Sequence, residues 1–136
     1  DMDMMFPHTV TLYNKYLDGN TERWQRIVLR GVYWDSSKGR TIRENGLSAD
    51  NGLVLIIPFS VAVDGDYCKP KEFASLTDRT GKWTLASGDM VVLGDIEYEV
   101  ERSTKELQRF DDLLTISYVD ARDYGGNMTH WEVTGK

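Results

Sequence analysis

The sequence predicts an all-β fold with minor α-helix: a small barrel or sandwich of about seven strands, with one long loop and one or two short helices. Three observations lead to this prediction. Val, Ile and Thr together number 28 against 5 Ala, which is a bias towards strands. Short apolar or alternating runs recur between Gly, Asp, Ser and Pro turn signals. Finally, 136 residues are most simply one domain, which we place at residues 1–136 with residues 1–7 flexible.

A hairpin is predicted at the N-terminal end of this domain. Thr9–Tyr16 forms its first strand, Asp18-Gly19 marks the turn, and Trp24–Leu29 returns as the second strand. Gly31 marks a bend, after which Val32–Trp34 resumes extended structure. One face of the first strand carries Val10, Leu12 and Asn14.

Residues 35–52 break the strand pattern and are predicted to form a long loop. They hold three Gly and several Ser, Asn and Asp, with only two strongly apolar residues. Lys38, Arg40 and Arg43 lie within six positions of one another and form a basic cluster. A long loop in a compact domain is often functional or disordered. Two interpretations therefore stand: a solvated flexible loop, or a binding loop that uses these three bases.

An apolar strand follows the loop at Leu53–Val63. Pro58 cannot donate a ladder hydrogen bond, so it implies an edge position, a bulge or a break into two strands. After a turn at Asp64–Asp66, Pro70 opens a short helix over Lys71–Thr77. The buried face of this helix is expected to hold Phe73 and Leu76.

A three-stranded meander is predicted next. Its strands are Lys82–Ala86, Met90–Leu93 and Ile96–Glu101. Gly94-Asp95 is expected to join the last two through a type II′ turn, whose first central residue has positive φ. In the last strand apolar residues alternate with glutamates, so one face should be dry and the other charged. The dry face holds Ile96, Tyr98 and Val100, and the charged face holds Glu97, Glu99 and Glu101.

The C-terminal part is predicted to add a helical turn and two strands. Residues 103–106 (Ser-Thr-Lys-Glu) match a capping box, in which Ser and Glu satisfy free backbone N–H groups reciprocally. Leu113–Val119 is a strand whose inner residues are expected to be Leu114, Ile116 and Tyr118. After a Gly-Gly break, His130–Val133 is expected to form a last edge strand.

The residue types that carry chemistry are sparse, and they predict a protein that is not an enzyme and holds no cofactor or metal. His8 and His130 are the only histidines and lie near opposite ends, and Cys68 is the one thiol, so no spaced ligand set is visible. The Arg-Thr-Gly-Lys run at 79–82 lacks the first Gly and the hydroxyl of a phosphate loop.

Charge and hydropathy exclude further classes. The net charge is −6, and the whole deficit lies in residues 86–136, which hold 11 acids and 5 bases. An acidic surface repels phosphate backbones, so general nucleic-acid binding is disfavoured. Apolar runs are too short to span a bilayer and no signal peptide is visible, so we expect cytoplasmic synthesis.

Several segments resemble phage proteins. Residues 9–13 (Thr-Val-Thr-Leu-Tyr), 31–34 (Gly-Val-Tyr-Trp) and 88–92 (Gly-Asp-Met-Val-Val) are similar to parts of small head-closure proteins of tailed phages. The whole chain more closely resembles an uncharacterised prophage family of Gram-positive bacteria from the head–tail gene region. That second resemblance is carried by residues 6–9 (Phe-Pro-His-Thr), 111–114 (Asp-Asp-Leu-Leu) and 130–133 (His-Trp-Glu-Val).

The resemblance implies a virion structural protein of the neck, of head–tail connector or head-closure type, or a minor capsid protein. Such a protein is made in the host bacterial cytoplasm and then forms a homo-oligomeric ring between the portal or connector ring and tail proteins, without a membrane. Loop 35–52 is then expected to be mobile in the isolated monomer and to order on assembly, with Lys38, Arg40 and Arg43 near packaged DNA or an acidic neighbouring subunit. The alternative is a small-barrel, single-stranded nucleic-acid-binding module that stacks bases on Trp and Tyr.

Overall fold

Six strands close into a barrel in the computed structural model, which describes residues 5–35, 53–123 and 129–136. The elements are β1 (His8–Asp18), β2 (Thr21–Asp35), β3 (Leu53–Pro58), β4 (Asp66–Tyr67), α1 (Pro70–Ser75), β5 (Lys82–Trp83), β6 (Met90–Leu93), a 3₁₀ helix (Thr104–Arg109), β7 (Leu113–Arg122) and β8 (His130–Gly135). The barrel order is β1-β2-β3-β8-β7-β6, with antiparallel neighbours throughout. β4 and β5 form a separate parallel pair. The prediction of an all-β barrel with minor helix is confirmed.

The N-terminal hairpin forms as predicted. β1 pairs with β2 over its whole length, and Asp18 stands opposite Thr21 across a two-residue turn. Gly19 in that turn has φ +65°, a conformation that glycine adopts without steric cost. Both faces of β1 are buried, unlike those of a strand at a solvated surface. Its five central side chains Val10, Leu12, Asn14, Thr11 and Tyr13 are all fully buried.

Two long strands bend at bulges and so change partners around the barrel. β2 pairs with β1 as far as Val32 and with β3 from Tyr33, and the register shifts beside Gly31, which has φ +89°. β7 pairs with β6 at its start and with β8 from Ile116, where a second register shift precedes Tyr118. A bulge adds one residue to a strand and bends it, which turns the sheet into a closed barrel. The bend predicted at Gly31 is confirmed.

Two apolar cores lie on opposite faces of β1. The first fills the barrel and comprises Val10, Leu12, Leu29, Val32, Leu55, Ile57, Trp83, Leu85, Val91, Leu114, Ile116, Trp131 and Val133. The second lies outside the barrel wall and comprises Tyr13, Trp24, Met90, Val92, Val100 and Leu107. Residues 94–110, which we call the strap, cross the outer face of β1 and cover this second core. The Tyr13 hydroxyl donates a hydrogen bond of 2.7 Å to the Tyr98 carbonyl, which fixes the strap to β1.

The predicted meander is wrong in its pairing. β6 exists at Met90–Leu93, but its neighbours are β1 and β7, and the strap has no strand at residues 96–101. Of Lys82–Ala86, only Lys82–Trp83 is a strand, and it pairs with β4. The alternation was nevertheless a correct guide to exposure, because the glutamates face solvent while Val100 is buried. An extended strap alternates its side chains as a strand does, so the pattern indicates burial and not pairing.

Three smaller predictions need correction. The strand expected at Leu53–Val63 ends at Pro58, which is the predicted break, and a separate bridge joins Ala62 to Arg30. β8 is not an edge strand, because it lies between β3 and β7 and closes the barrel. Tyr118 is 61% exposed and not part of the inner set, because the bulge before it reverses the phase of β7 and Val119 packs against the core instead.

The loop prediction is only partly addressed by the described residues. Asp35 is the last residue of β2 and therefore does not belong to a loop. Residues 36–52, with Lys38, Arg40 and Arg43, lie outside the described residues.

Both predicted helices are present. α1 begins at Pro70 and buries Phe73, while Leu76 is only half-buried and caps the helix in an extended conformation. Ahead of the 3₁₀ helix, Ser103 accepts a hydrogen bond from the Lys105 N–H and donates its own N–H to Glu106, which confirms the capping box. The Ser103 N–H and then the Tyr98 hydroxyl lower the pKa of Glu106 to about 2.

Gly94 is a point where substitution should damage the fold. It has φ +106°, its N–H donates to Thr9 at 2.7 Å, and its carbonyl accepts from the Thr11 hydroxyl at 2.8 Å. We expect Gly94→Val to lower the free energy of unfolding by about 1–3 kcal/mol, because a β-branched residue cannot hold this φ without strain.

Thermal and urea unfolding measure this loss. A Cβ at position 94 would meet the Ile96 side chain at 3.6 Å, an ordinary contact, so the cost arises in the backbone. Ser87→Val, at an exposed turn position without positive φ, is the matched control. A midpoint for Gly94→Val equal to that of the wild type would contradict the conformation described for Gly94.

Candidate functional site

A groove of about 660 Å³ runs along β2 and is the candidate site. β2 supplies one wall, from Gln25 to Arg30. Residues 62–64 and 80–81 supply a second wall, and Asp95 and Glu97 of the strap supply the third. We call this feature the β2 groove.

The β2 wall of the groove is a strand edge that no other described residue pairs at Arg26 and Val28. In an antiparallel ladder, alternate residues direct their N–H and C=O groups to opposite sides. Arg30 exchanges two hydrogen bonds with Ala62, of 3.0 and 3.1 Å, so its backbone groups point away from β1. Those of Val28 and Arg26, two and four positions earlier, therefore point the same way. No hydrogen bond from another described residue reaches these groups of Val28 and Arg26, since β3 pairs with β2 only at its last three residues.

A side chain of β2 holds the neighbouring segment 79–82 in place. The Gln25 amide donates to the carbonyls of Arg79 and Lys82, at 2.9 and 2.6 Å. Gly65 lies so close to the Gly81 carbonyl that a Cβ there would stand 3.0 Å from its oxygen. These contacts hold residues 65 and 79–82 close to one another and fix residues 79–82 beside β2.

One carboxylate neutralises both arginines of the groove. Asp95 lies 3.3 Å from Arg26 Nη2 and 2.6 Å from Arg30 Nη2, and Arg26 Nε also donates to the Ile96 carbonyl. Exposed ion pairs of this kind contribute at most about 1 kcal/mol each, so they position the strap more than they stabilise it.

The rim of the β2 groove is acidic. Asp64 and Glu97 are exposed, and neither forms an ion pair within the described part of the chain. The lining thus holds two bases against three acids, and the two acids at the rim are available to a cationic partner.

A buried polar network ties β1 to residues 84–89 at the other end of the strand. Asn14 is fully buried. Its side-chain amide donates to the Thr84 carbonyl at 2.8 Å and accepts from the Thr84 N–H at 3.1 Å. The same amide donates to Asp89 Oδ2 at 2.9 Å, while the Lys15 N–H donates to Oδ1 at 3.1 Å. Burial raises the pKa of Asp89 to about 6, although these two donors partly offset the shift. We call this network the polar clasp. Its role is structural, since the Asn14 amide and the Asp89 carboxylate bond to backbone groups or to each other.

Three of the four tryptophans are buried in the apolar cores. Trp24, Trp83 and Trp131 are 9%, 2% and 7% exposed. The rings of Tyr67, Trp83 and Trp131 contact one another with centroids 4.5–5.4 Å apart. A single-strand nucleic-acid binder needs exposed aromatic platforms, so this burial does not favour the alternative function.

His8 and Cys68, which the sequence singled out, occupy structural positions. His8 Nδ1 accepts a hydrogen bond of 3.0 Å from the Trp34 N–H. Cys68 is buried, and burial raises the pKa of its thiol. Among residues 5–35, 53–123 and 129–136, no three His, Cys, Asp or Glu side chains converge as a metal site would require. Neither helix in these ranges approaches the length needed to cross a bilayer.

The sequence-predicted site residues are a different set from the described residues that line the β2 groove. Lys38, Arg40 and Arg43 lie outside the described residues, so their role stays a prediction. The sequence analysis missed the β2 groove, although Arg26 and Arg30 share a strand face. The open edge depends on where the distant Ala62 meets β2, and no local pattern carries that information.

Comparison with known proteins gives one result. The model of the family of unknown function DUF6751 matches residues 5–136 of the chain. No curated protein and no solved structure matches it.

The Asp89 carboxyl should make stability depend on pH. Its folded pKa, about 6, lies above the value of about 3.9 in an unfolded chain. The contribution of Asp89 to stability is therefore full below pH 4 and is lost as the pH rises to 6. We expect this loss to be about 2–3 kcal/mol.

Urea unfolding at several pH values between 3.5 and 7 gives the free energies of unfolding of the wild type and of Asp89→Asn. The change with pH in the difference between these two free energies measures the loss. Asp111→Asn, at an exposed position, controls for the removal of one negative charge. A difference between wild type and Asp89→Asn that stays constant over this range would show that Asp89 titrates near its ordinary value.

Proposed function

The chain belongs to DUF6751, a family of unknown function. We propose that it is a structural protein of the phage neck. It is of head–tail connector or head-closure type and acts by assembling into a ring, without catalysis. Its partners are a portal or connector ring, tail proteins and further copies of itself.

The observation that carries this proposal is the β2 groove. The barrel is filled by apolar side chains, while one strand of its wall has an edge, between charged rims, that no other described residue pairs at Arg26 and Val28. An unpaired edge is a template for another chain, and proteins that do not use one usually cover it. A closed barrel with such an edge is suited to joining other chains side by side.

The segments that carry the phage resemblance support the barrel itself. His8 accepts a hydrogen bond from the Trp34 N–H. Leu114 lies in the barrel core, as do Trp131 and Val133 of β8, the strand that closes the barrel. The resemblance therefore rests on residues that determine the fold. This supports a shared architecture with that prophage family of the head–tail gene region.

The charge distribution suits contacts between unlike surfaces. Exposed acids follow one another along the strap at Glu97, Glu99 and Glu101, whereas the basic cluster Lys38, Arg40 and Arg43 lies in a separate part of the sequence. A contact between two different surfaces of identical subunits generates a ring when the rotation closes. Complementary charge guides the encounter and the register of such a contact more than its total affinity.

The ring would act by geometry. Barrels packed side by side form its wall, and the sequence between β2 and β3 supplies the bases Lys38, Arg40 and Arg43. The three bases there then meet DNA phosphates or an acidic neighbour, for which Lys and Arg are the appropriate side chains.

Replacing the basic cluster tests whether its charges are needed for assembly. We expect Lys38, Arg40 and Arg43 changed together to Ser to reduce infectious particles by about tenfold or more, because roughly one charge-assisted contact per subunit is lost. The matched control changes three other bases, the exposed Lys69, Lys71 and Lys105, to Ser. Normal particle yield from the first triple variant would rule out the proposed role for these charges.

Locating the protein tests the function itself. Cryo-electron microscopy of particles from cells expressing a tagged chain should show tag density at the neck. Particles whose neck density contains no copy of the chain would overturn the neck proposal.

A further inference from the structure

We propose that a cleft near the tip of the β1–β2 hairpin receives the acidic bend Asp111-Asp112 of a second copy of this chain. The inference rests on the proposed function and deepens it, because it names a contact that joins neighbouring copies in the ring. We call the feature the tip cleft. It has a volume of about 500 Å³ and is lined by Tyr16, Arg23, Trp24, Val100, Glu101 and Arg102.

Two donors of the tip cleft have no partner among the described residues. Trp24 is only 9% exposed, and its indole N–H hydrogen-bonds to no other described residue. Unlike the indole N–H of Trp83, this group is not sealed from solvent, so it is available at the cleft that Trp24 lines. The Arg102 guanidinium is exposed and forms no ion pair within the described part of the chain, although the Arg102 backbone N–H donates to Glu106. An indole N–H beside a guanidinium favours a negatively charged acceptor.

The tip cleft also offers apolar surface to the chain that carries this acceptor. Val100 and Tyr16 lie in its wall, and Leu17, the next residue of β1, is 59% exposed. Trp, Tyr and Arg are the residue types that carry most of the binding energy in protein–protein contacts. The partner that fits is therefore a protein segment that has both carboxylates and apolar side chains.

Residues 110–113 of the chain, Phe-Asp-Asp-Leu, have this composition. Asp111 and Asp112 are exposed, and neither carboxylate forms an ion pair or a hydrogen bond with another described residue. Phe110 and Leu113 pack against the second core but are only partly buried, so some of each side chain is accessible. The bend therefore presents two carboxylates between two apolar side chains.

The geometry of β1 requires that the bend comes from a second copy. The Leu93 N–H donates to the Asp112 carbonyl at 3.0 Å, and Leu93 pairs with Val10 of β1. Tyr16 lies six residues further along β1, at a distance of about 20 Å. The bend and the tip cleft thus lie towards opposite ends of β1, and both are fixed to that strand. A chain cannot bring its own bend to its own cleft.

A contact of this kind suits the proposed ring. Each copy would use its tip cleft for one neighbour and its bend for the other, so the two contacting surfaces differ. Contacts between unlike surfaces of identical subunits generate a ring when the rotation closes and a filament when it does not. Opposite charges on the two surfaces would fix the register of the contact.

The competing explanation is that the tip cleft is a solvated crevice. Arg102 would then lie in water, and Arg23 would serve only its exposed ion pair with Asp18, of 3.1 Å. The two explanations differ in whether Arg102 is coupled to Asp112. Within one chain these residues are too far apart to interact directly, so only a contact between copies couples them.

Charge reversal tests this coupling. Sedimentation velocity of the full chain should show association as the concentration rises from low micromolar to about 1 mM. We expect Arg102→Glu and Asp112→Lys each to weaken association about tenfold, because each places like charges opposite one another. The variant with both changes should associate within about threefold of the wild type, because its opposed charges attract again. Lys71→Glu, an exposed base outside the cleft, is the matched control for the change in net charge and should associate as the wild type does.

A second measurement needs no charge variant. In nuclear magnetic resonance spectra, association should shift the indole N–H signal of Trp24 and leave that of Trp83, which is 2% exposed, unchanged. Four outcomes would overturn the contact: no association at about 1 mM, an unshifted Trp24 signal, no recovery in the double variant, or weakening by Arg102→Glu without weakening by Asp112→Lys. The last outcome would mean that the cleft binds something other than the bend.

The two proposals fail separately. A chain found in the neck whose association does not couple Arg102 to Asp112 overturns the tip-cleft contact alone. A chain that associates as expected but is missing from the neck overturns the neck proposal and leaves the contact between copies standing.

Discussion

Burial of both faces of β1 is the constraint on which the rest of the structure depends. One face fills the barrel with Val10 and Leu12, and the other face presents Tyr13, so it needs a cover outside the barrel wall. The strap provides that cover, and its passage across β1 places Asp95 beside the arginines of β2. The inner face also carries Asn14, whose buried amide requires Asp89 and Thr84 as partners. The candidate site and the polar clasp both follow from covering this one strand.

Closure of the barrel and the open edge have a common cause. β2 changes its partner at the Gly31 bulge, so among the described residues its first half has β1 on one side and only the Ala62 bridge on the other. A barrel whose corner strand bends in this way hides most of its edges and leaves a short one free. Function by assembly is therefore compatible with a rigid, filled core, because the core and the contact edge use different halves of the same strand.

The parts of the fold that could be predicted are those set by neighbouring residues. The hairpin turn at Gly19, the capping box at Ser103 and the exposure of Glu97 follow from local patterns, and all three agree with the structure. The partners of β6 could not be predicted, because an apolar run does not indicate which strand pairs with it. Tyr118 was misplaced because a bulge reverses the phase of β7 without any marker in the sequence. The β2 groove was missed for the same reason, since Ala62 finds Arg30 only in the folded chain.

The position of β8 has a consequence for how the protein is made. Its central residues pair with β3 on one side and β7 on the other, with Trp131 opposite Ile57. During synthesis the barrel therefore cannot close until residues 130–135 have left the ribosome. Until then β3, with the run Leu-Val-Leu-Ile-Ile, has its partner β2 at Val54–Ile56 but lacks β8 along its other edge. Such late, long-range closure gives slow folding and a nascent chain that is prone to aggregation, so we expect chaperones to protect β3 during translation.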